Sequence, residues 1–223
     1  MTLVIVAHVP TAIVISGDSR ATMTTPVAPG SNIQTHVALS DSTEKVFVLY
    51  DKYAAATSGD GIVNNLPIAH YVEEFQKSHA SPGTVAQLAN ELLTYFRNLN
   101  PIPACLFYVG GYDGPVPWVM SINVGANTSN RVNVDANGNP AYGMQWMGDI
   151  DIVNRILSQP AFQPPYNLLN QQDATDLTRH LIRSTIDQMR FEPRYPTVGG
   201  PIDTVIVTHK GVNFLVKKQL HGR

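Results

Sequence analysis

Thr2-Leu3-Val4-Ile5-Val6-Ala7-His8-Val9, then Pro10-Thr11, then Ala12-Ile13-Val14-Ile15-Ser16-Gly17-Asp18-Ser19-Arg20: this stretch opens the chain. Leu3 to Val9 is apolar and rich in β-branched residues, and reads as a buried strand. Pro10-Thr11 reads as a turn, and Ala12 to Ser16 as the returning strand, ending at Gly17. Ahead of this hairpin stands Thr2, directly behind the initiator Met. Once that Met is removed, Thr2 carries a hydroxyl nucleophile and a free α-amine on one residue. An α-amine has an ordinary pKa of about 7.7–8.0, so near neutral pH a usable fraction is unprotonated and can act as a base. A Thr with its own N-terminal amine is one way of activating a hydroxyl without a His.

Three later signals line up behind Thr2. Gly17-Asp18-Ser19-Arg20-Ala21-Thr22 closes the first hairpin, Glu44-Lys45-Val46-Phe47 opens the next, and Thr57-Ser58-Gly59-Asp60-Gly61 ends that one and leads toward a helix. Each motif is weak alone; their order and element context are more specific. The series resembles the β-type subunits of the proteasome, of the bacterial homologue type, within the N-terminal nucleophile (Ntn) hydrolases. Thr2, Asp18, Arg20, Lys45 and Gly59 carry the match, and Val109-Gly110-Gly111-Tyr112-Asp113 extends it.

Composition fits this reading. The 223 residues are expected to form one domain, residues 1–223, long enough for a substantial core. Charged residues make up 14%, against about a quarter in ordinary domains. So weakly charged a surface suits a subunit that buries several faces in an assembly. A net charge of −2 and a pI near 6.4 argue against a protein that binds nucleic acid by neutralising phosphates. Cys105 is the one cysteine, which excludes an intrachain disulfide and a Cys-cluster zinc site; it is expected buried in a strand. The apolar N-terminus lacks a basic leader and reads as a strand rather than a signal peptide. No apolar run reaches the length of a membrane span. A cytoplasmic location is expected.

Along the chain, Thr24 to Ser42 reads as a long loop, with Pro26, Pro29, Gly30 and Asn32, close to Thr2 and able to line a cleft. Glu44–Leu49 and Tyr53–Thr57 read as a hairpin about Asp51-Lys52. A helix is expected after Asp60, beginning near Asn65 or kinked at Pro67, with Leu66, Ala69 and Val72 inward. Ser81-Pro82 reads as the cap and first residue of a second helix, whose Val85, Leu88, Ala89, Leu92, Leu93 and Phe96 keep helical period. Strands are expected over Leu106–Val109 and Trp118–Ile122, and a hairpin over Arg131–Ala141 turning at Asn137-Gly138. Helices are expected over Asp149–Leu157 and Ala174–Met189, and a last hairpin over Thr204–Thr208 and Val212–Lys217. Such an order can stack two antiparallel sheets between helix layers. The resemblance implies the same: an α+β, four-layer αββα sandwich.

The resemblance also implies roles. Thr2 would be the nucleophile, Lys45 the cation beside its hydroxyl, Asp18 the partner that fixes Lys45, and Gly59 N–H the oxyanion donor. Arg20 would support the site, and Gly111-Tyr112-Asp113 would be a structural strand end. Taken without the family, position 2 merely permits Met removal, Lys45 is an edge-strand lysine, Asp18 a turn residue and Gly59 an ordinary turn glycine. The implied activity is peptide-bond hydrolysis without cofactor or metal. Implied partners are further copies of the chain in a ring, a peptide or unfolded-protein substrate, and a separate ATPase unfoldase. A non-catalytic ring or scaffold subunit, and an Ntn amidase or acyltransferase acting on a small amide, are the alternatives.

The second half departs from the pattern. Where the family has Gly-Ser-Gly before its third helix, the chain reads Trp146-Met147-Gly148. Where the family has an Asp and a Ser before a Gly-Gly pair, it reads Tyr195-Pro196-Thr197-Val198-Gly199-Gly200. Thr197, Asp149 and Asp203 are candidates to replace the missing groups, which assist the Thr amine in the family. The seven His residues show no metal-ligand spacing, and His8 and His209 read as satisfied strand residues. Ser58-Gly59-Asp60-Gly61 is too short for a phosphate loop, and no Gly-x-Ser-x-Gly elbow occurs.

Overall fold

Successive residues of a strand face opposite ways, and the first strand shows what both faces meet. In the computed structural model, which describes residues 2–27, 34–160 and 163–219, β1 (Leu3–Val9) is fully buried. Leu3, Ile5, Ala7 and Val9 join one apolar cluster, and Val4 and Val6 join another. A strand buried on both faces reads as a continuous apolar run, as this one does. It pairs with β2 (Ala12–Gly17), also fully buried, in the register Val6↔Ile15.

The elements that follow are β3 (Ala21–Pro26), β4 (Gln34–Ser40), β5 (Val46–Leu49), β6 (Tyr53–Gly59), β7 (Ile62–Val63), β8 (Leu66–Pro67), α1 (Ile68–Ser78), α2 (Val85–Arg97), β9 (Cys105–Asp113), β10 (Val116–Asn123), β11 (Thr128–Arg131), β12 (Gly143–Gly148), α3 (Asp151–Leu157), α4 (Gln171–Met189), β13 (Asp203–Thr208) and β14 (Gly211–Val216). One antiparallel sheet runs β12-β1-β2-β13-β14 and the other β11-β10-β9-β6-β5. Val4, Val6, Ile13 and Ile15 of the first meet Ala54, Ala56, Tyr108 and Val119 of the second. The outer face of the second sheet is covered by α1 and α2 through Phe75, Leu88, Leu92 and Phe96. The outer face of the first is covered by α3 and α4 through Val153, Leu181 and Ile182. This is the expected αββα sandwich.

Most elements stand where the periodicity puts them. All six apolar positions expected for the second helix are buried, and Cys105 is buried in β9. Burial pushes its thiol pKa up to about 12, so it is an inert core residue.

Several expectations are corrected. The stretch after Thr24 is a ribbon rather than a loop. In it β3 and β4 pair Thr25↔Thr35 and Met23↔Val37, and Thr25 and Thr35 bond across at 3.0 Å. Both faces are largely open, so no apolar alternation marked it as paired. Pro29, Gly30 and Asn32 lie outside the described residues, as does Met1. Residues 61–67 form a miniature hairpin, β7–β8, before α1. Asn64 and Asn65 sit at φ 48° and 63°, the left-handed pair of a type I′ turn, and Leu66 is exposed instead of inward. The cap of α2 is Thr84, not Ser81: its hydroxyl accepts from the Gln87 amide. The expected hairpin over Arg131–Ala141 is a turn with one bridge, Val134↔Pro140. The Asp135 amide donates to the Asn139 carbonyl and the Ala141 amide to the Asn133 carbonyl, and within the turn the Asp135 carboxylate accepts from the Asn137 and Asn139 amides. Strand β12 lacks the continuous apolar run of β1, because Gln145 interrupts it and glycines stand at both ends. His209 lies in the turn after β13, and His8 is bonded at Nδ1 only.

Candidate active site

The site lies where the two sheets open at one end. Thr2 precedes β1, Asp18 follows β2, Lys45 precedes β5 and Gly59 closes β6. The turns of two hairpins therefore place four residues, distant in sequence, around one point.

Asp18 is 1% exposed and uses both carboxylate oxygens. Oδ1 accepts from the Leu3 amide at 2.9 Å and from Lys45 Nζ at 2.8 Å; Oδ2 accepts from the Gly199 amide at 3.0 Å and the Arg20 amide at 3.1 Å. Lys45 Nζ also donates to the Arg20 carbonyl at 2.5 Å. One carboxylate thus ties the residue next to Thr2 to the ammonium of Lys45. Burial lowers the Lys45 pKa, and Asp18 opposes that by stabilising the charged form. What offsets the burial of Lys45 is direct pairing, with the Asp18 carboxylate and the Arg20 carbonyl both bonded to Nζ.

Arg20 points away from this pair. Its guanidinium takes Asp41 in two bonds, 2.6 and 2.9 Å, and the Pro196 carbonyl at 3.1 Å. The bond to Asp41 raises the Arg20 pKa and holds the Asp41 carboxyl below the usual range. Gly199 packs flat on this guanidinium, where a Cβ would fall 2.5 Å from its central carbon. Gly59 has φ +102°, and a Cβ there would overlap the Ala104 carbonyl oxygen, so the position accepts only glycine. Gly111 is packed against Tyr53 and Val85, and Asp113 accepts from the Val85 amide at 3.0 Å, tying β9 to the start of α2.

Thr2 is 5% exposed, and its carbonyl accepts from the Asp149 amide at 2.7 Å. Of the three candidates for the missing second-half groups, two meet here. Asp149 is 5% exposed; its carboxylate accepts from Thr197 Oγ1 at 2.7 Å and from Arg194 Nη1 at 2.9 and 3.1 Å. Burial works against charge on Arg194, yet its bonds to Glu192 and Asp149 prevail and its pKa is raised. The third candidate, Asp203, lies across from Gly17, on the Asp18 side of the site, and pairs with Lys218 through its Nζ and backbone amide. Arg194 escaped the sequence reading altogether, since nothing local marks an arginine 45 residues from the acid it binds.

Thr2, Lys45 and Gly59 line one cleft of about 580 Å³, whose walls include Ala21, Met23, Leu39, Ile62 and Ile68. Among the described residues no group of three His, Cys, Asp or Glu is placed to hold a metal, and no helix is long and apolar enough to cross a membrane.

The architecture is that of the proteasome-like Ntn fold, two antiparallel sheets between helix layers. Anbu from Hyphomicrobium sp. strain MC1, solved as a Gly-1 mutant, superposes at a TM-score of 0.66 with 14% identity, covering 98% of this chain and 86% of that one. No protein-family model matches the sequence, and no curated protein matches it.

Proposed function

We propose that the protein is an N-terminal threonine hydrolase that cleaves peptide bonds. One observation carries the reading: a near-buried Thr2 shares a cleft with Lys45, itself locked to Asp18, and with a positive-φ glycine, Gly59. In this reading Thr2, with Met1 removed, attacks the substrate carbonyl through Oγ while its α-amine takes the hydroxyl proton. The Lys45 ammonium lowers the proton affinity of both groups. The Gly59 N–H donates to the oxyanion, a contribution of about 2.7–4 kcal/mol to the transition state. The amine returns the proton to the leaving nitrogen, an ester to Thr2 remains, and water hydrolyses it. Asp149 fixes Thr2 through its amide and is itself held by Thr197 and Arg194. The 223 residues act as one domain, in a homo-oligomeric ring fed by a separate ATPase.

The test is intact mass before and after a threonine-directed β-lactone. Loss of Met1 and one covalent adduct, absent in Thr2→Ala, are expected. Met1 retained in protein from its native cell, with no adduct, overturns the reading and leaves a non-catalytic scaffold subunit. An adduct without turnover of any peptide in a fluorogenic panel would redirect it to a small-amide hydrolase.

A further inference from the structure

A second groove, of about 490 Å³, opens between α4, the turn that precedes β13 and the end of β14, and shares no lining residue with the Thr2 cleft. Arg179 and Arg183, four residues apart, project from one face of α4, and His180 stands beside them. Lys218, with its side chain 3% exposed, lines the groove too, and no Asp or Glu does. In a chain whose net charge is −2, that is a local excess of positive charge.

The three cations differ in their partners. Lys218 Nζ is bonded to the Asp203 carboxylate, so its charge is neutralised and it serves as a fixed wall. Arg179 is half-buried, yet its Nη1 donates only to neutral oxygens, the Ile202 carbonyl at 3.1 Å and Thr204 Oγ1 at 3.2 Å. Among the described residues no carboxylate meets it. A partly desolvated cation without a counter-charge carries a cost that a bound anion removes. Arg183 has only Asp187, at 3.9 Å and with both side chains more than half exposed, a contact that a better-placed anion displaces. His180 is exposed and has no partner among the described residues. The remaining wall is apolar, formed by Pro201, Ile202 and Val216, the last 39% exposed.

Two guanidiniums without a close carboxylate match a dianion. A phosphoryl group carries a charge of about −1.5 to −2 at pH 7 and takes two parallel N–H bonds from one arginine. A bare phosphate would leave the apolar wall uncovered, and the volume lies within the range of about 300–1,000 Å³ of sites for small organic ligands. We propose that this groove binds a small phosphate monoester. Its phosphoryl oxygens lie on Arg179, Arg183 and His180, and its carbon body lies against Pro201, Ile202 and Val216.

The test involves no turnover, so it stands apart from the reading of Thr2. Isothermal titration calorimetry of the full chain, in a phosphate-free buffer of fixed ionic strength, compares phenyl phosphate with inorganic phosphate and with benzoate. Phenyl phosphate is expected to bind at least about tenfold tighter than inorganic phosphate, since only the ester buries a ring. It is expected to bind at least about tenfold tighter than benzoate, which has the ring but a single charge. Arg183→Ala, at an exposed position outside the core, should weaken phenyl phosphate about tenfold and leave the melting temperature of the unliganded protein unchanged. Arg179→Lys keeps the charge, loses the fork, and should weaken it comparably. Inorganic phosphate binding as tightly as the ester reveals a bare-anion site and overturns the assignment, and equal binding of benzoate does the same. So does the absence of binding heat with phenyl phosphate at millimolar concentration, or binding that neither variant weakens.

Discussion

Gly148 sets the position of Thr2. It pairs with Leu3, has φ +104°, and a Cβ on it would overlap the Thr2 carbonyl oxygen. Gly148→Ala is therefore expected to push Thr2 off the Asp149 amide and to slow β-lactone labelling at least ~100-fold, since ångström-scale misplacement carries that cost. Stability should fall by about 1–3 kcal/mol from backbone strain; labelling rate and urea unfolding, measured together, check both. His8 provides a pH test remote from the site. Its Nδ1–H donates to the Ala141 carbonyl at 2.8 Å, while Nε2 is buried without a partner. Burial pushes its pKa down to about 4, with the Ala141 bond opposing. The folded value lies below the unfolded value of about 6.5, so its contribution is complete above pH 6.5 and is lost as pH falls toward 4. About 2–3 kcal/mol of the stability lost between pH 7 and 4.5 should vanish in His8→Leu, read as the difference in urea unfolding free energy at the two pH values.

Ser81-Pro82 and Thr84 both satisfy the local rule for a helix start. Packing chose between them. The Tyr53 hydroxyl takes the Pro82 carbonyl at 2.8 Å, and the Asp113 carboxylate takes the Val85 amide, so the chain turns into the helix only at Thr84. Thr84→Ala is expected to cost about 1 kcal/mol, and Ser81→Ala less than about 0.5, in urea unfolding. The αL asparagines of β7–β8 and the capping box of α4, Asn170 with Asp173, were written in the sequence, although neither was read there. The β3–β4 ribbon was not legible, because neither face is buried and a strand without a core face shows no period.

Across the whole molecule, site and sandwich are one problem. Thr2 enters on one sheet, Gly59 leaves the other, and Lys45 stands between, so the spacing of the sheets sets the spacing of the cleft. Ala54 and Ala56 are fully buried in the layer between them, where small side chains let the sheets approach. Ala56→Leu, two residues before Ser58 and paired with Val46, should overpack this layer at a cost of about 1–3 kcal/mol. It should also lower β-lactone labelling more than peptide binding, because the Thr2-to-Gly59 geometry shifts while the rim does not. Equal losses of both would mean general unfolding, which a thermal melt distinguishes.

Features that depend on neighbours along the chain were legible before any fold was known. The run from Leu3 to Ser16 forced a hairpin buried on both faces, helical periods dictated the layers that cover the sheets, and Thr2, Asp18, Lys45 and Gly59 stood at ends of elements that had to meet. Other features depend on partners far apart in the chain: that Asp149 and Thr197 join beside Thr2 with Arg194 behind them, that Asp203 pairs with Lys218, and that Thr84 starts α2. A local pattern states which face of an element must be buried, because burial is periodic in the chain. It carries no record of which polar group from another element arrives to satisfy a given oxygen, because that is settled only when the elements pack.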